Sequence, residues 1–590
     1  MNDNKNMILA VVLSALVLLG WGLLSDAYFP TANPPVTKIE QGKQVPVARP
    51  ASDPAAETPS AIRDRNLVLS ETRGQRVPIA TPRLAGSINL KGARIDDLTL
   101  TSERETIDPN SPPIRLFSPS GTPDSYFAEW GWRGERGTVP DGNTVWQSSG
   151  GRLAPGAPVT LSWANGTGQT FQILLTVDDN YMFRAEQRIL NRGTDRFTAQ
   201  PYSLVSRVGP SRDIDSWTVH VGPMGVFDGV ADYGNNYDTV AEAPGGRIAH
   251  SSEGGWVGFT DKYWLAAVIP SQGARTVEAE FRHIQATNRF QAAYVAGAVS
   301  ARPGTAAVYS SHLFAGAKEV QQLDLYSEQL GTPLEQAIDW GWFEWFMIPI
   351  FALLNWLFAQ IGNFGVAIIA LTLIVRLLLF PIAQKQFASM AKMRVLQPKM
   401  KAIQDRHADD RPRMQQEMMK LYKEEKVNPM AGCLPILLQI PIFYALYKVL
   451  MVSVEMRHKP FALWIQDLSA PDPLTPVNLF GYLDFTPPSI LAIGILPILL
   501  GISMGLQFRL GPQATDPVQR QIFSLMPWIL MFAMATFAAG FQVYWITSNL
   551  ISIAQIWYLN RKFGKPEPAQ APVAIVPKTT GTPKKRPKKR

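Results

Sequence analysis

The first half of the chain alternates apolar and polar positions over short runs. Three consecutive runs show it: Val159, Leu161 and Trp163, then residues 171–177, then residues 183–189. An Asn-Gly pair and an Asp-Asp-Asn run, both typical of turns, separate them. A period of two residues predicts β-strands with one face toward a core. We therefore predict a three-stranded meander with one wet face, within a large β-sandwich that covers residues 61–333.

The second half contains five apolar stretches separated by polar segments. They cover residues 364–382, 429–450, 490–508, 522–537 and 541–557. A helix that spans a membrane needs about 20 mostly apolar residues. We predict an α-helical core of five spans within residues 334–560.

A further apolar stretch, residues 7–24, lies near the N-terminus. It fits either a membrane helix or a cleavable signal sequence, and Ser25-Asp26-Ala27 resembles a cleavage site. The long apolar run and the weakly charged start favour an uncleaved anchor over residues 1–28. The predicted fold class is a multi-domain membrane protein with an N-terminal signal-anchor helix, a β-sandwich and an α-helical five-span core.

Four tryptophans introduce the helical half of the chain. They are Trp340, Trp342, Trp345 and Trp356. Tryptophan is enriched at the headgroup level of a bilayer, and the apolar run at residues 346–358 is short and contains Pro349. We interpret this run as an interfacial helix. A tilted start to the next membrane helix is the alternative.

A basic, polar stretch at residues 384–428 interrupts the apolar half. It carries eleven Lys or Arg against six acids. Apolar residues recur at spacings of three and four on both sides of a break, which predicts two antiparallel helices in a hairpin. Methionines that could contact partner chains, or could merely pack the two helices together, are Met390, Met393, Met414 and Met418.

Charge predicts the orientation of the spans. The positive-inside rule places the hairpin in the cytoplasm, and the N-terminus and C-terminal tail then lie inside and the β-sandwich outside. The tail, residues 561–590, carries ten Lys or Arg against one acid, Glu567. We interpret it as a disordered segment that binds RNA or anionic lipid, or that serves only as a solvated topology signal. Residues 29–60 are Pro-rich and indicate an extended linker.

Composition and motifs exclude several functions. Cys433 is the only cysteine, so intrachain disulfides, four-cysteine zinc sites and iron–sulfur clusters are excluded. The sequence has no phosphate-binding GxxxxGK[ST] loop, no HExxH helix and no GxGxxG turn. Four histidines of the first half match no ligand spacing: His220, His250, His283 and His312. We therefore expect no catalytic residue, no cofactor and no metal, and predict that the protein is not an enzyme.

Arg376 is the one charged residue in the apolar stretch 364–382, and Thr372 lies one turn before it. An arginine at the membrane centre costs roughly 2.5 to 3.5 kcal/mol, which the surrounding Leu, Ile, Val and Phe residues outweigh. The segment should therefore still span, with Arg376 facing protein or water. Because no Asp or Glu lies in the five predicted spans, we interpret Arg376 as a functional site for a negative group. An arginine that only locks helices together is the alternative.

The last predicted span is unusually polar for a membrane helix. One stripe contains Gln542, Trp545, Asn549 and Ser552, an adjacent stripe contains Tyr544, Ser548, Ile551 and Gln555, and neighbouring spans add Gln439, Ser503 and Gln507. We expect the hydrogen-bonding groups of this helix to point one way. Polar residues in membrane helices often only tie helices together. Their number, beside an unpaired arginine, favours a hydrated cavity.

Three stretches resemble the YidC/Oxa/Alb family of membrane protein insertases. They are IVRLLLFPIAQKQFASMAKMRVLQPKM (374–400), EEKVNPMAGCLPILLQIPIFYALYKVL (424–450) and PFALWIQDLSAPDP (460–473). The resemblance is close over residues 341–562, and the upstream anchor and β domain resemble the Gram-negative, six-span form.

The resemblance implies a five-helix core around a hydrophilic groove that is open to the cytoplasm and to lipid and closed at the periplasmic side. In it, Arg376 corresponds to the groove arginine of the family and Thr372 to its neighbour. Many members have Tyr-Tyr where this chain has Tyr544-Trp545, so a hydroxyl contact does not carry over to Trp545. The periplasmic domain of the family resembles sugar-mutarotase sandwiches without their known catalysis.

We therefore predict an insertase and chaperone that moves nascent transmembrane segments from the groove into lipid, in the bacterial inner membrane. The predicted groove residues are Arg376, Thr372, Gln439, Gln507, Gln542, Tyr544, Trp545 and Asn549. Expected partners are nascent membrane protein chains, the Sec translocon, the ribosome and the lipid bilayer. Two rival functions stay open: an anion transporter, although no internal repeat is present, and an envelope binding module built on the β-sandwich.

Overall fold

The computed structural model describes residues 62–135, 138–213, 219–273, 276–341, 343–407, 410–425, 434–483, 492–511 and 517–563, and the backbone of 38–40 and 43–45. The predicted anchor, Cys433 and the tail beyond residue 563 lie outside these residues. Within the predicted linker, β1 (Lys38–Glu40) pairs antiparallel with β2 (Lys43–Val45). The chain divides into two compact units, Met1–Phe351 with Tyr447–Lys459, and Ala352–Leu446 with Pro460–Arg590.

The first unit contains two large antiparallel sheets. Its strands are β3 (Arg76–Ala80), β4 (Leu84–Asn89), β5 (Arg94–Arg104), β6 (Pro113–Phe117), β7 (Tyr126–Arg133), β8 (Gln147–Ser149), β9 (Val159–Ala164), β10 (Gln169–Val177), β11 (Met182–Asn191), β12 (Phe197–Val208), β13 (Gly222–Phe227), β14 (Val230–Asp232), β15 (Arg247–Ser252), β16 (Trp256–Thr260), β17 (Trp264–Ile269), β18 (Val277–Ile284), β19 (Arg289–Val295), β20 (Val299–Ala301) and β21 (Ala306–Ala317). One sheet has the order β14-β13-β16-β17-β21-β11-β10-β9-β8. The other has the order β15-β18-β19-β12-β7-β5-β4-β3, with β20 paired to β12 and β6 to β5. The predicted β-sandwich is confirmed.

The predicted meander is confirmed as strands β9, β10 and β11. Ile173 lies opposite Leu161 on β9 and Gln187 on β11. Positions alternate between buried and part-exposed along all of β10, because successive side chains of a strand point to opposite faces. Gln187 is a polar residue on the buried face, and its amide donates to the carbonyl of Gly131 at 2.6 Å. That bond satisfies its donor inside the core.

The four histidines of the β-sandwich are buried or half-buried. The ring of His250 stacks on Phe227 at a centroid distance of 4.0 Å. Burial, assisted by nearby Arg184, lowers the pKa of His312 to about 4. Within the described residues, no group of three His, Cys, Asp or Glu side chains could hold a metal ion.

The helices lie mostly in the second half of the chain. They are α1 (Arg65–Glu71), α2 (Tyr237–Glu242), α3 (Val320–Leu330), α4 (Glu344–Ile361), α5 (Phe364–Arg406), α6 (Arg411–Glu424), α7 (Leu434–Val452), α8 (Ile495–Leu510), α9 (Pro517–Met534) and α10 (Ala539–Phe563). Short 3-10 helices cover Arg73–Gln75, Pro244–Gly246, Gln285–Thr287, Glu335–Ala337, Val454–Met456 and Pro476–Gly481. Among the described residues, Glu344–Ile361 and Phe364–Lys385 are long and apolar enough to cross a membrane. Shorter apolar helices cover Gln439–Val452, Ile495–Leu510 and Gln521–Met534. The number of spans stays a prediction.

The tryptophans near α4 have different surroundings. Trp345 and Trp356 are exposed on α4, which suits a lipid or headgroup environment. Trp340 is instead buried, with its ring 5.4 Å from that of Phe351. Trp342 lies outside the described residues. The tryptophans therefore do not form one exposed cluster, and the interfacial placement of α4 stays a prediction.

The helix that carries Arg376 continues without a break into the predicted hairpin. Helix α5 is 43 residues long and runs through Pro381 and Pro398. It packs against α6 through Leu396, Met400 and Leu421, with Ile403, Met418 and Tyr422 around them. Met418 thus packs the two helices together, whereas Met414 is half-buried. The side chains of Met390 and Met393 lie outside the described residues.

The loop at residues 460–475 connects the N-terminal ends of three helices. The carbonyl of Phe461 accepts from Asn363 at the start of α5, and the carbonyls of Leu468 and Ala470 accept from the first residues of α10. Gly365 has no side chain, and a Cβ there would lie 2.0 Å from the ring of Phe461. This loop is the third of the stretches on which the family resemblance rests.

Asp472 is the polar centre of this loop. Its carboxylate accepts from the backbone N–H of Leu496 at 2.7 Å and of Leu474 at 3.0 Å, and from the indole of Trp464 at 2.9 Å. A Cβ at Gly494 would lie 2.6 Å from the Cβ of Asp472, so the close approach requires glycine. One buried carboxylate therefore joins the start of α8 to the loop.

We expect Asp472→Ala to destabilise the protein by about 1 to 3 kcal/mol, because the substitution leaves buried donors without an acceptor. Thermal unfolding of the purified protein in detergent measures the effect. Gln466→Ala, at an exposed position of the same loop, is the control. Equal melting temperatures of the two variants would contradict the role of Asp472.

Candidate functional site

Arg376 lies in the apolar part of α5, one turn after Thr372. Its side chain is half-buried, while the neighbouring Leu377 and Leu378 are exposed, as expected of residues that face lipid. Thr372 is buried, and its hydroxyl donates to the carbonyl of Ile368 at 2.6 Å. This bond within the helix satisfies Thr372 locally.

The guanidinium of Arg376 binds a neutral partner on α10. One of its N–H groups donates to the hydroxyl of Ser548, which is buried where α5 and α10 pack together. Within the described part of the chain, no carboxylate lies close enough to pair with Arg376.

Tyr544 extends this contact toward α7. Its hydroxyl accepts from the amide of Gln439 at 2.7 Å. Tyr544 and Ser548 are four residues apart on α10 and so lie on the same face of that helix. The four side chains Arg376, Ser548, Tyr544 and Gln439, here named the Arg376 network, link α5, α10 and α7.

Other polar side chains of α10 point toward α8 and α9. The amide of Gln542 is fully buried and donates to the carbonyls of Met534 at 3.0 Å and Phe537 at 2.8 Å, at the end of α9. Asn549 donates to the hydroxyl of Ser503 on α8 at 3.1 Å. The expectation that the hydrogen-bonding groups of this helix point one way was wrong. Gln542 and Asn549, seven residues apart and therefore on one face, tie helices together.

Trp545 belongs to an aromatic cluster between α7 and α10. Its ring lies 4.8 Å from that of Phe443 and 5.8 Å from that of Phe541, both edge-on. Gln507 is half-buried on α8, and none of the described residues hydrogen-bonds its side chain. The structure therefore brings Arg376, Gln439 and Tyr544 together and places Trp545 beside them.

Ser548 and Ser503 are the polar residues that the predicted site omitted. Ser548 belongs to the site, and its position four residues after Tyr544 was the signal that could have identified it. Ser503 is the centre of a Gly-Ile-Ser-Met-Gly run, which matches the GxSxG pattern of hydrolases. That pattern needs a strand-to-helix turn, whereas Ser503 lies inside α8 and donates to the carbonyl of Leu500. It is therefore not a hydrolase nucleophile.

The Arg376 network combines a fixed positive charge with uncharged hydroxyl and amide groups. A guanidinium has five N–H donors, and Ser548 accepts from one of its nitrogens. A partly buried charge without a counter-charge favours any carboxylate that can reach it. This chemistry suits reversible attraction of a negative group, and none of the four side chains is a general base that could activate the hydroxyl of Ser548.

Comparison with known proteins identifies relatives over nearly the whole chain. Two family models match: one described as 60Kd inner membrane protein, over residues 356–566, and one described as YidC periplasmic domain, over residues 76–353. A protein of Zymomonas mobilis named Membrane protein insertase YidC is 46% identical, over 96% of this chain and 97% of that protein. A protein of Methylorubrum extorquens with the same name is 43% identical, over 95% and 96%.

Similarity to solved structures is weaker. The crystal structure of an active YidC insertase with its first transmembrane domain resolved is 17% identical, covers 93% of this chain and 99% of that chain, and has a TM-score of 0.36. A galactose mutarotase related enzyme from Lactobacillus acidophilus is 11% identical, covers 41% of this chain and 97% of that chain, and has a TM-score of 0.28. The identity and coverage of the sequence relatives, rather than these likenesses, establish the relationship.

Proposed function

The chain belongs to the YidC family of membrane protein insertases, and we propose that its Arg376 network receives the acidic flank of a nascent transmembrane segment. By this membership the protein is a membrane-bound insertase and not an enzyme. The observation that supports the proposed site is the contact of Arg376 with Ser548, a neutral partner, without a carboxylate among the described residues.

The proposed mechanism needs no fuel. The client's polar flank enters a hydrated groove and its carboxylate replaces Ser548 as the partner of Arg376. Water in the groove and a locally thinned bilayer lower the cost of desolvating the flank. The client's apolar helix then passes along α7 and α9 into lipid. Burial of about 20 apolar residues supplies the driving force.

The hairpin of α5 and α6 is the proposed first contact for a client on the cytoplasmic side. Its Lys399–Glu425 ion pair, with a distance of 2.7 Å, and its apolar core hold the two helices together. The hairpin can therefore offer a client a fixed surface. Met414 and the exposed Met419 provide adaptable side chains on its surface. The Sec translocon and the ribosome are proposed partners, with the basic tail as a second ribosome or lipid contact.

The proposed location is the bacterial inner membrane. In this proposal the β-sandwich unit lies in the periplasm, and the N-terminus, hairpin and tail lie in the cytoplasm. The excess of Lys and Arg in the hairpin and the tail supports this orientation. Exposed apolar side chains on α5, α8, α9 and α10 suit contact with lipid; examples are Leu378, Ile502, Ile529 and Leu550.

Reconstitution tests the proposal directly. The purified protein in liposomes is expected to insert a client with one transmembrane segment and an acidic flank without any other component. Protease protection of the client measures insertion. Liposomes that contain no protein are the control, and equal protection in both would contradict the proposed function.

We expect deletion of residues 61–329 to leave a basal rate of insertion in the same assay. The reason is that the Arg376 network and the hairpin lie outside the deleted part. An envelope binding module built on the β-sandwich would instead lose its whole function. Complete loss of insertion by a deletion variant whose helices remain folded would favour that rival.

A further inference from the structure

A second charged residue is buried in the apolar helices. Lys448 lies on α7, and its side chain is 1% exposed. Its ammonium group donates to the carboxylate of Asp339 at 3.1 Å. Asp339 follows the 3-10 helix Glu335–Ala337 and precedes α4, and both partners belong to the first unit. A buried ammonium needs such a partner, because an unpaired charge there is strongly unfavourable.

Asp339 also influences a second buried lysine. Lys318, at the end of β21, donates to the hydroxyl of Thr260 at 2.9 Å and to the carbonyl of Ala337 at 3.4 Å. Burial lowers the pKa of Lys318 to about 8, while Asp339 acts in the opposite direction. Asp339 therefore pairs directly with a lysine of α7 and contributes, after Asp261, to the negative charge around a lysine of the β-sandwich.

The segment that follows α7 binds the β-sandwich at two more places. The carboxylate of Glu455 accepts from the N–H of Val320, the first residue of α3, at 3.1 Å. The guanidinium of Arg457 donates to the carbonyl of Arg104 at 2.7 Å, at the end of β5. The end of α7 and this segment, residues 447–459, thus form part of the first unit.

The other face of α7 carries a member of the Arg376 network. Gln439 and Lys448 are nine residues apart, which is two and a half turns, so they lie on opposite faces of the helix. Gln439 donates to Tyr544, and Phe443, one turn further on, packs against Phe541 and Trp545. One face of α7 therefore contacts α10, while the opposite face, nearer its end, is tied to Asp339.

We propose that Lys448 is a positioning residue for insertion. Its ion pair with Asp339 fixes the end of α7 and so keeps Gln439 hydrogen-bonded to Tyr544 beside Arg376. The inference rests on the proposed function of the Arg376 network. Glu455 and Arg457 support the same attachment from the segment after the helix.

The test compares two clients that differ only in whether their flank is acidic or neutral. We expect Lys448→Met and Asp339→Asn to lower the ratio of acidic to neutral client insertion about two- to thirtyfold, the range for changes along a coupled network. The double variant Lys448→Glu with Asp339→Lys restores a charge pair and should recover most of the ratio. Lys448→Arg, which keeps the charge, should stay near the wild-type ratio. Melting temperatures of the same samples identify variants that fail to fold.

Folded single variants with the wild-type ratio would overturn the inference, as would a folded charge-swapped variant that stays as low as the single ones. Asp339→Asn, which changes few atoms, provides the result if Lys448→Met does not fold. The Arg376→Ala variant distinguishes failure of the proposed function of the Arg376 network from failure of the positioning role of Lys448. If that variant keeps the wild-type ratio, the proposed function fails; if it lowers the ratio and the Lys448 variants do not, only the positioning role fails.

Discussion

Replacing Arg376 by alanine is expected to reduce the insertion of clients with acidic flanks by roughly 10- to 100-fold, whereas Arg376→Lys is largely tolerated. Hydrogen bonds to a charged group contribute about 1.5 to 3 kcal/mol, and alanine removes the charge that would attract the client's carboxylate. Lysine keeps the charge and loses only the planar arrangement of donors. Protease protection of a reconstituted client measures insertion, with rates compared at equal amounts of protein.

Two comparisons make this result specific to charge at the groove. Arg413→Ala removes an arginine from the exposed surface of the hairpin and should leave insertion unchanged. A client with a neutral flank should be affected much less by Arg376→Ala than the acidic client. Equal activity of the wild-type, alanine and lysine proteins would eliminate the proposed role of Arg376.

A carboxylate placed at Ser548 is expected to block acidic clients about as strongly as Arg376→Ala does. Ser548 already accepts from the guanidinium of Arg376, so Ser548→Asp would pair with it inside the protein. A buried, hydrogen-bonded ion pair is costly to break. The client's carboxylate would therefore have to displace the carboxylate that the Ser548→Asp substitution introduces. The neutral-flank client should again be less affected.

Ser548→Asn is the matched control, since asparagine has the shape of aspartate without its charge. Ser548→Ala is expected to retain insertion, because a hydroxyl that the client displaces is not needed during transfer. If the Ser548→Asp and Ser548→Asn variants insert the acidic client at the same rate, the client's carboxylate does not bind the charged group of Arg376.

The sequence predicts most where the type of a residue by itself limits the environment in which its side chain can lie. An arginine in an apolar helix requires a protein or aqueous neighbour whatever the fold, so Arg376 could be singled out before its partners were known. The alternation at residues 171–177 likewise identifies the buried face of β10, since a strand has only two faces. The spacing of Met418 allowed two interpretations, contact with partner chains or packing between the two hairpin helices. Only the structure shows that Met418 packs between the helices.

Sequence could not decide which neighbour each face of a helix meets. Both polar stripes of α10 were visible as spacings of three and four, yet Gln542 contacts the end of α9 while Tyr544 contacts α7. Spacing specifies angles within one helix and contains no information about the position of the next helix. The run through Pro381 is a similar case, because whether a proline ends a helix depends on the packing that supports it.

By itself, the sequence determined the local order of this protein: a β-rich half, an apolar helical half, a basic hairpin and a single arginine within an apolar helix. These follow from periodicity, length and charge, which act between residues near one another in the chain. Only the tertiary structure decided that Arg376 binds Ser548, 172 residues away, and that Lys448 binds Asp339, 109 residues away. Such pairs depend on how whole elements pack, and buried charges then select the partners that packing brings within reach.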